Sequence, residues 1–207
     1  MNQNMNQNTN QNINNSDSPI ILASSSPRRI HMMGSHGYQP IIMPADIDES
    51  LPTDITMRDA VMYLALKKAL WVETQVLHNM NLLGATIIAA DTVVYKNGIL
   101  GKPTDRDDAF RMLSTIKNTS HQVATGVAIL KAGMPIRNVF VDVTDVYCKD
   151  YTNKEINDYL DTDEPYDKAG SYAIQGEFSK YIHHYDGSLN TVIGFPWELI
   201  EPKLHAL

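Results

Sequence analysis

The stretch TIIAADTVVYKNGIL, Thr86 to Leu100, carries the strongest strand signal in the chain. Thr86 to Tyr95 is apolar or β-branched on both sides of a single acid, which predicts a buried strand. Asn97-Gly98 favours a type I′ turn, so a hairpin is expected to return through Ile99 and Leu100. Asp91 breaks the apolar run. An unpaired buried charge costs several kcal/mol, on the order of a domain's whole stability, so Asp91 needs a partner or a job. Two readings stand at this stage: a strand-end carboxylate bonding a nearby turn, or a functional acid.

Upstream, Pro19 to Ala23 reads as a short buried strand. Ser24, Ser25 and Ser26 are candidate N-caps, Pro27 suits a first helical position, and Gly34 is expected to end that helix. Ile41 to Met43 predicts another short strand. An acidic loop, Ala45-Asp46-Ile47-Asp48-Glu49-Ser50, then leads to a helix over about Thr56 to His78. Its apolar stripe is Val61, Leu64, Ala65, Ala69, Val72 and Val76. At about 100° per residue, Lys68 falls inside that stripe and Lys67 points away from it. Lys68 either snorkels to the surface or has an inward function.

Downstream, a helix starts after Thr104 with Ala109, Met112, Leu113 and Ile116 on one face. Strands follow at about Gln122 to Leu130 and Arg137 to Cys148, joined by a turn at Gly133. Thr152 and Glu155 form a capping-box pattern for a short helix to about Leu160. A turn-rich segment, DTDEPYDKAGSYAIQGEFSKY, precedes a last apolar stretch and a terminal helix after Pro196. Mixed strands and helices in this order predict an α/β or α+β fold, and no internal repeat is evident.

The chain has 207 residues, 43% hydrophobic and 20% charged, which suits one substantial core or two small lobes. Its net charge of -7 is no electrostatic footprint for duplex nucleic acid. A single cysteine, Cys148, cannot form an internal disulfide, and neither a membrane-spanning apolar run nor a signal pattern is present. The expected setting is therefore the cytoplasm, with no membrane or nucleic-acid partner. Residues 1 to 17, MNQNMNQNTNQNINNSD, have almost nothing to bury and are expected to be a disordered Asn/Gln-rich tail, with the fold starting near Ser18.

Arg28 and Arg29 occupy a first helical turn, where the helix dipole disfavours cations. An anion at the helix start removes that penalty, because free backbone N–H groups, serine hydroxyls and guanidinium forks match phosphate geometry. A solvated basic turn is the other reading. Lys102 in Gly101-Lys102-Pro103 adds a cation after the hairpin. Asp48 and Glu49 suit either a solvated acidic loop or a hard cation such as Mg²⁺, which needs one or two protein oxygens besides substrate phosphate. The sequence has no zinc spacing, no Walker loop, no GxGxxG and no nucleophile elbow. Together these residues supply cations for phosphates, carboxylates for a metal and one buried acid to activate water.

In this light the chain resembles the Maf family of nucleotide pyrophosphatases from about Ile20 to Leu204. The resemblance runs through LASSSPRR, DIDES, LALKKA, AADTVV, GKP, HQVATGVAI, EPYDKAGSYAIQG and NTVIGFP. It implies a two-lobed mixed α/β fold of the Maf/ITPase-like type, with an extended mixed sheet and a nucleotide cleft between the lobes. It also implies hydrolysis of a nucleoside triphosphate to monophosphate and pyrophosphate with a divalent metal cation, and a homodimer. By the same resemblance Asp91 matches the general base, and Arg28, Thr92 and Gln175 match positions that set substrate choice. Ser24, Arg29, Lys68 and Lys102 match phosphate-contacting or otherwise catalytic positions. Glu49 matches a carboxylate associated with metal and catalysis, and Asp91 is counted with it as a metal ligand.

Asp91-Thr92 and Ile174-Gln175-Gly176 resemble the dTTP/UTP branch rather than the 7-methyl-GTP branch, which carries Gln after the base and Ser-Glu-Gly at the second motif. The Gln175 amide can both donate and accept, which suits the O4 and N3–H edge of uracil and thymine. Departures from the family pattern are Phe195 for Leu, Ala173 for Gly, and no Gly in Asn118 to Ser120. The rivals to dTTP/UTP hydrolysis are 7-methyl-GTP hydrolysis and a nucleotide-binding regulator of septum formation or cell division.

Overall fold

The computed structural model describes residues 18–207, so the expected tail lies outside the described residues. Its centre is a seven-stranded mixed sheet in the order β2-β1-β3-β5-β6-β7, with β4 also on β3. The strands are β1 (Ile20–Leu22), β2 (Ile41–Ile42), β3 (Thr86–Tyr95), β4 (Ile99–Leu100), β5 (Ser120–Lys131), β6 (Arg137–Cys148) and β7 (Ile182–Asp186). β2, β1 and β3 are parallel, whereas β4, β5, β6 and β7 join antiparallel. The helices are α1 (Pro27–Ser35), α2 (Met57–Val76), α3 (Arg106–Ile116), α4 (Asn153–Leu160), α5 (Leu189–Ile193) and α6 (Trp197–His205).

Strand alternation sorts the core. On one face Ile21, Ile87, Ala89, Ala128 and Leu130 pack on Ala65, Ala69, Val72 and Val76 of α2. On the other, Leu22, Ile88, Ala90, Val127 and Ile129 meet Met33 of α1 and Phe195, Trp197 and Ile200 around α6. A third cluster joins Val94, Leu100, Val123 and Val146 to α3, α4 and the aromatic group Tyr151, Tyr159, Tyr172 and Phe178. Asp91 continues the Ile87-Ala89 series toward α2, and Thr92 continues the Ile88-Ala90 series toward α1.

The expected strands and α2, α3, α4 and α6 are present, with small differences at their ends. Helix α1 runs through Gly34, and the left-handed residue beyond it is Gly37, φ 84°. Ser26 takes the N-cap position of α1 without a side-chain cap bond, so its first-turn N–H groups stay available. The β3–β4 connection holds three residues rather than two, because Tyr95 pairs with Ile99. Its Asn97 is left-handed at φ 58°. Asn118, in the segment lacking the family's glycine, also adopts a left-handed φ of 51°, which asparagine tolerates better than most residues. The capping box at Thr152 and Glu155 forms as expected. The short elements β7 and α5, between the turn-rich segment and the terminal helix, were not foreseen.

Two features govern how the scaffold holds. Gly126 stands opposite Asp91 across β3 and β5, and a Cβ there would lie 2.4 Å from the Val61 backbone of α2. Gly126→Ala must therefore push α2 off the sheet, and urea melts should show a loss of about 1–3 kcal/mol, the cost of overpacking. His121 is buried, with Nε2 2.7 Å from the Tyr172 hydroxyl. Burial, then the Lys96 charge, takes its pKa from the ordinary 6.5 to about 3. The unfolded chain thus binds a proton near pH 6.5 that the folded chain refuses until about pH 3. This stabilisation is full above pH 6.5 and is lost as pH falls through that window. Unfolding free energies from urea melts should fall on acidification by up to about 1.4 kcal/mol per pH unit. His121→Phe should be weaker at neutral pH but fall less steeply; an unchanged slope would assign the titration elsewhere.

Candidate active site

Strand β3 pairs with β1 at Thr86, Ile87 and Ile88 and with β4 at Val94 and Tyr95. Between them, Ala89 to Val93 has β5 on one edge and an open edge on the other. The gap lies beyond the carboxyl end of parallel strand β1, where α/β sheets place ligands. A cavity of about 730 Å³ opens there, and it collects every site residue expected from the sequence: Ser24, Arg28, Arg29, Glu49, Lys68, Asp91, Thr92, Lys102 and Gln175. Their elements are the β1–α1 turn and first turn of α1, the acidic loop, α2, β3, the loop after β4 and the turn before Glu177–Tyr181. They span most of the described chain.

The cavity is built around Lys68. Its Nζ lies 2.6 Å from Asp91 Oδ1 and 2.9 Å from Glu49 Oε1, with the Lys68 and Asp91 side chains nearly buried. Lys68 thus points inward, as its place in the apolar stripe implied. Among the described residues Asp91 Oδ2 has no hydrogen-bond partner and is the oxygen free to accept a proton. Burial raises the Glu49 pKa, but the hydrogen bond from Lys68 and the charges of Lys68, Lys102 and Arg29 outweigh it, so the net shift is downward. Glu49 is therefore ionised at neutral pH. Asp48 is occupied otherwise: its carboxylate accepts from Ser50 N and Oγ, while its carbonyl accepts from Lys67.

The two arginines of α1 have different surroundings. Arg29 donates from Nε to the Gly194 carbonyl at 2.8 Å, and from its two terminal nitrogens to Ser24 Oγ and Thr92 Oγ1, both at 3.2 Å. Burial brings its pKa to about 10, partly countered by Asp91 and reinforced by Arg28, so the cation persists at neutral pH. Thr92 Oγ1 also meets Thr125 Oγ1 at 2.9 Å, and Thr125 donates to the Thr191 carbonyl. This chain of bonds ties α1, β3, β5 and α5 together. Arg28 has no protein hydrogen bond among the described residues and faces the cavity, where its charge helps to lower the pKa of Asp167 against the effect of burial.

Two charged cavity residues were not singled out from the sequence, Asp167 and Lys168, although they lie within the EPYDKAG motif. Their signal was a pair of adjacent opposite charges in a turn-rich stretch. Lys168 Nζ donates to the Asp167 carboxylate and to the Glu164 carbonyl. Gln175 lines the cavity with no protein partner for its amide among the described residues.

Glu49 and Asp91 are the cavity carboxylates that would hold a divalent cation. Both meet the Lys68 ammonium, so a cation would be held by the oxygens they leave free, and no cluster of three or more His, Cys, Asp or Glu occurs among the described residues. Two carboxylates are what Mg²⁺ takes from a protein when substrate phosphates and water complete its shell.

Comparisons with known proteins agree with this arrangement. The Maf-like protein family model matches residues 19–207. A protein of Caldicellulosiruptor bescii named dTTP/UTP pyrophosphatase is 42% identical, covering 86% of this chain and 88% of its own length. One of the same name from Desulfitobacterium hafniense is 39% identical over 89% and 83%. Another from Bdellovibrio bacteriovorus is 34% identical over 89% and 96%. The solved structure of the Staphylococcus aureus Ham1 protein shares the fold at a TM-score of 0.52 and 14% identity, covering 91% of this chain and 99% of that one. With a family model spanning the described residues and relatives of this similarity, the chain belongs to the Maf family.

Proposed function

We propose that this chain is a nucleoside triphosphate pyrophosphatase, hydrolysing dTTP and UTP to the monophosphate and pyrophosphate. The observation that carries the reading is Asp91. It is a nearly buried carboxylate held through Oδ1 by Lys68 with Oδ2 free, in a cavity also lined by Arg28, Lys102 and Lys168. The names of the relatives support the same substrates.

In this mechanism Asp91 Oδ2 takes a proton from the water that attacks the α-phosphorus, and pyrophosphate leaves. Lys68, with two of its three N–H donors on Asp91 and Glu49, fixes the base and directs the third toward phosphate. Arg28 and Lys102 neutralise charge on the phosphoryl oxygens. The first-turn N–H groups of α1 and the serines before it receive phosphate at the helix start. Arg29 holds Ser24 and Thr92 in place. A divalent cation held by Glu49 and Asp91 would supply charge neutralisation on the phosphates. Gln175 pairs with the O4 and N3–H edge of the pyrimidine.

Residues 18–207 act as one catalytic unit, and a homodimer and a cytoplasmic setting complete the proposal. The support for the last two is the family resemblance and the single cysteine. Among the described residues, no helix is long and apolar enough to cross a membrane.

The test is pyrophosphate release from a panel of nucleoside triphosphates by purified protein with Mg²⁺ or Mn²⁺. dTTP and UTP should lead the panel, and Asp91→Asn should lower turnover by roughly 10² or more, as loss of a general base does, while melting like wild type. Preference for 7-methyl-GTP would overturn the substrate assignment, and tight binding without release would favour a sensor. The arginines should separate. Arg28→Ala should lower kcat/KM by about tenfold or more, with stability within about 0.5 kcal/mol of wild type. Arg29→Ala should also lose about 1–3 kcal/mol of stability, because buried acceptors are left unpaired. Equal melting of the two variants would contradict this division.

A further inference from the structure

The loop that displays Gln175 rests on Glu164, a residue that does not line the cavity. Glu164 Oε1 accepts from the Tyr159 hydroxyl at 2.8 Å, and Oε2 accepts from the Glu177 N–H at 3.0 Å. Tyr159 is itself buried in the aromatic cluster around Phe178, so the carboxylate is anchored to the core of its lobe. Gly176, immediately after Gln175, presses against the same carboxylate. A Cβ there would fall 2.1–2.2 Å from its carbon and oxygens. The turn closes above this contact, Gly176 N donating to the Ala173 carbonyl at 3.2 Å. On its other side Glu164 opens the short 3-10 turn Glu164–Asp167, and its carbonyl accepts from Lys168 Nζ at 3.1 Å.

One residue therefore joins two cavity-lining pieces to a buried tyrosine: Ile174-Gln175 through its carboxylate and Asp167-Lys168 through its backbone. Gln175 has no hydrogen bond of its own to hold its position among the described residues, so its backbone must be placed from beneath. We propose that Glu164 is the positioning residue that sets substrate choice, by fixing the turn from which Gln175 reads the base. This rests on the function proposed above. Glu164 touches none of Arg28, Lys68, Lys102 and Asp91, and it meets Lys168 only through its backbone carbonyl, so replacing its side chain should act on recognition of the base and spare the chemistry.

The test uses the full chain with UTP and CTP, which differ at the 4-position and N3 edge. Glu164→Ala should raise KM for UTP by about tenfold and lower the UTP-over-CTP ratio of kcat/KM by a similar factor, with kcat changed less than about threefold. Glu164→Gln should restore both to within about threefold of wild type, because its carbonyl can accept from Glu177 N–H while its amide donates to Tyr159. Gly176→Ala, which forces the same contact apart from the opposite side, should reproduce the loss of discrimination and covers the case in which Glu164→Ala does not fold. An unchanged UTP-over-CTP ratio in both folded variants, or equal loss of kcat and kcat/KM on both substrates, would overturn the assignment while leaving the proposed activity intact. A wild-type chain releasing pyrophosphate from no nucleotide would overturn the activity itself, and the assignment with it.

Discussion

The Lys68 ammonium, held between Asp91 and Glu49, is the constraint on which the rest of the architecture depends. A nearly buried cation is tolerable only when paired and hydrogen-bonded, and removing either partner leaves an uncompensated charge. Meeting that condition brings three separate pieces of chain to one point: α2, strand β3 and the acidic loop. It also demands that α2 lie close on the sheet. The small side of that contact is Gly126, which sits opposite Asp91 in the β3–β5 register and admits the α2 backbone at Val61. The glycine that packs the helix and the acid that needs its lysine are thus neighbours for one geometric reason.

The opposite face of β3 is held by a second, half-buried cation with a different task. Arg29 spends a donor from each of its three nitrogens on Gly194, Ser24 and Thr92, and the Thr92–Thr125–Thr191 relay carries the connection into α5. Gly194 is left-handed, φ 104°, and a Cβ there would lie 2.9 Å from Thr92 Oγ1. Strand alternation explains why Asp91 and Thr92, adjacent in sequence, answer to different cations. One faces α2 and the other faces α1, and both reach the cavity because β3 has lost its partner on that edge.

Much of this was legible before the structure because it rested on short-range periodicity. Asp91 stood out in an apolar run and Lys68 in an apolar helical stripe, and both faces proved buried as the spacing required. The same stripe concealed Glu73, whose carboxylate pairs with Arg137 through both oxygens and clamps the turn at Gly133. The Arg28–Arg29 difference was not readable, because the partners that separate them lie 63 and 165 residues away. Strand β7 escaped for another reason. Ile182 to Asp186 is mostly exposed and polar, so it shows no alternation, and it is a strand because β6 offers an edge. Helix α5 has five residues, too few for a periodic signal.

Charge distribution explains how a chain of net charge -7 can select a polyanion. Eight charged side chains line the cavity, five cations (Arg28, Arg29, Lys68, Lys102 and Lys168) against three carboxylates (Glu49, Asp91 and Asp167). The recess therefore carries an excess of cationic side chains, whose field its low-dielectric walls focus, and the rest of the chain carries the excess acid. A compact triphosphate can enter that recess, and its charge is met there within a few ångströms. An extended duplex cannot enter, and it meets the acidic exterior instead. The selection is one of size and charge together, and it operates before any group reads the base. In the function proposed above, base reading is left to neutral groups such as Gln175 at the cavity wall, where a hydrogen-bonding edge can discriminate without competing against the cations for the phosphates.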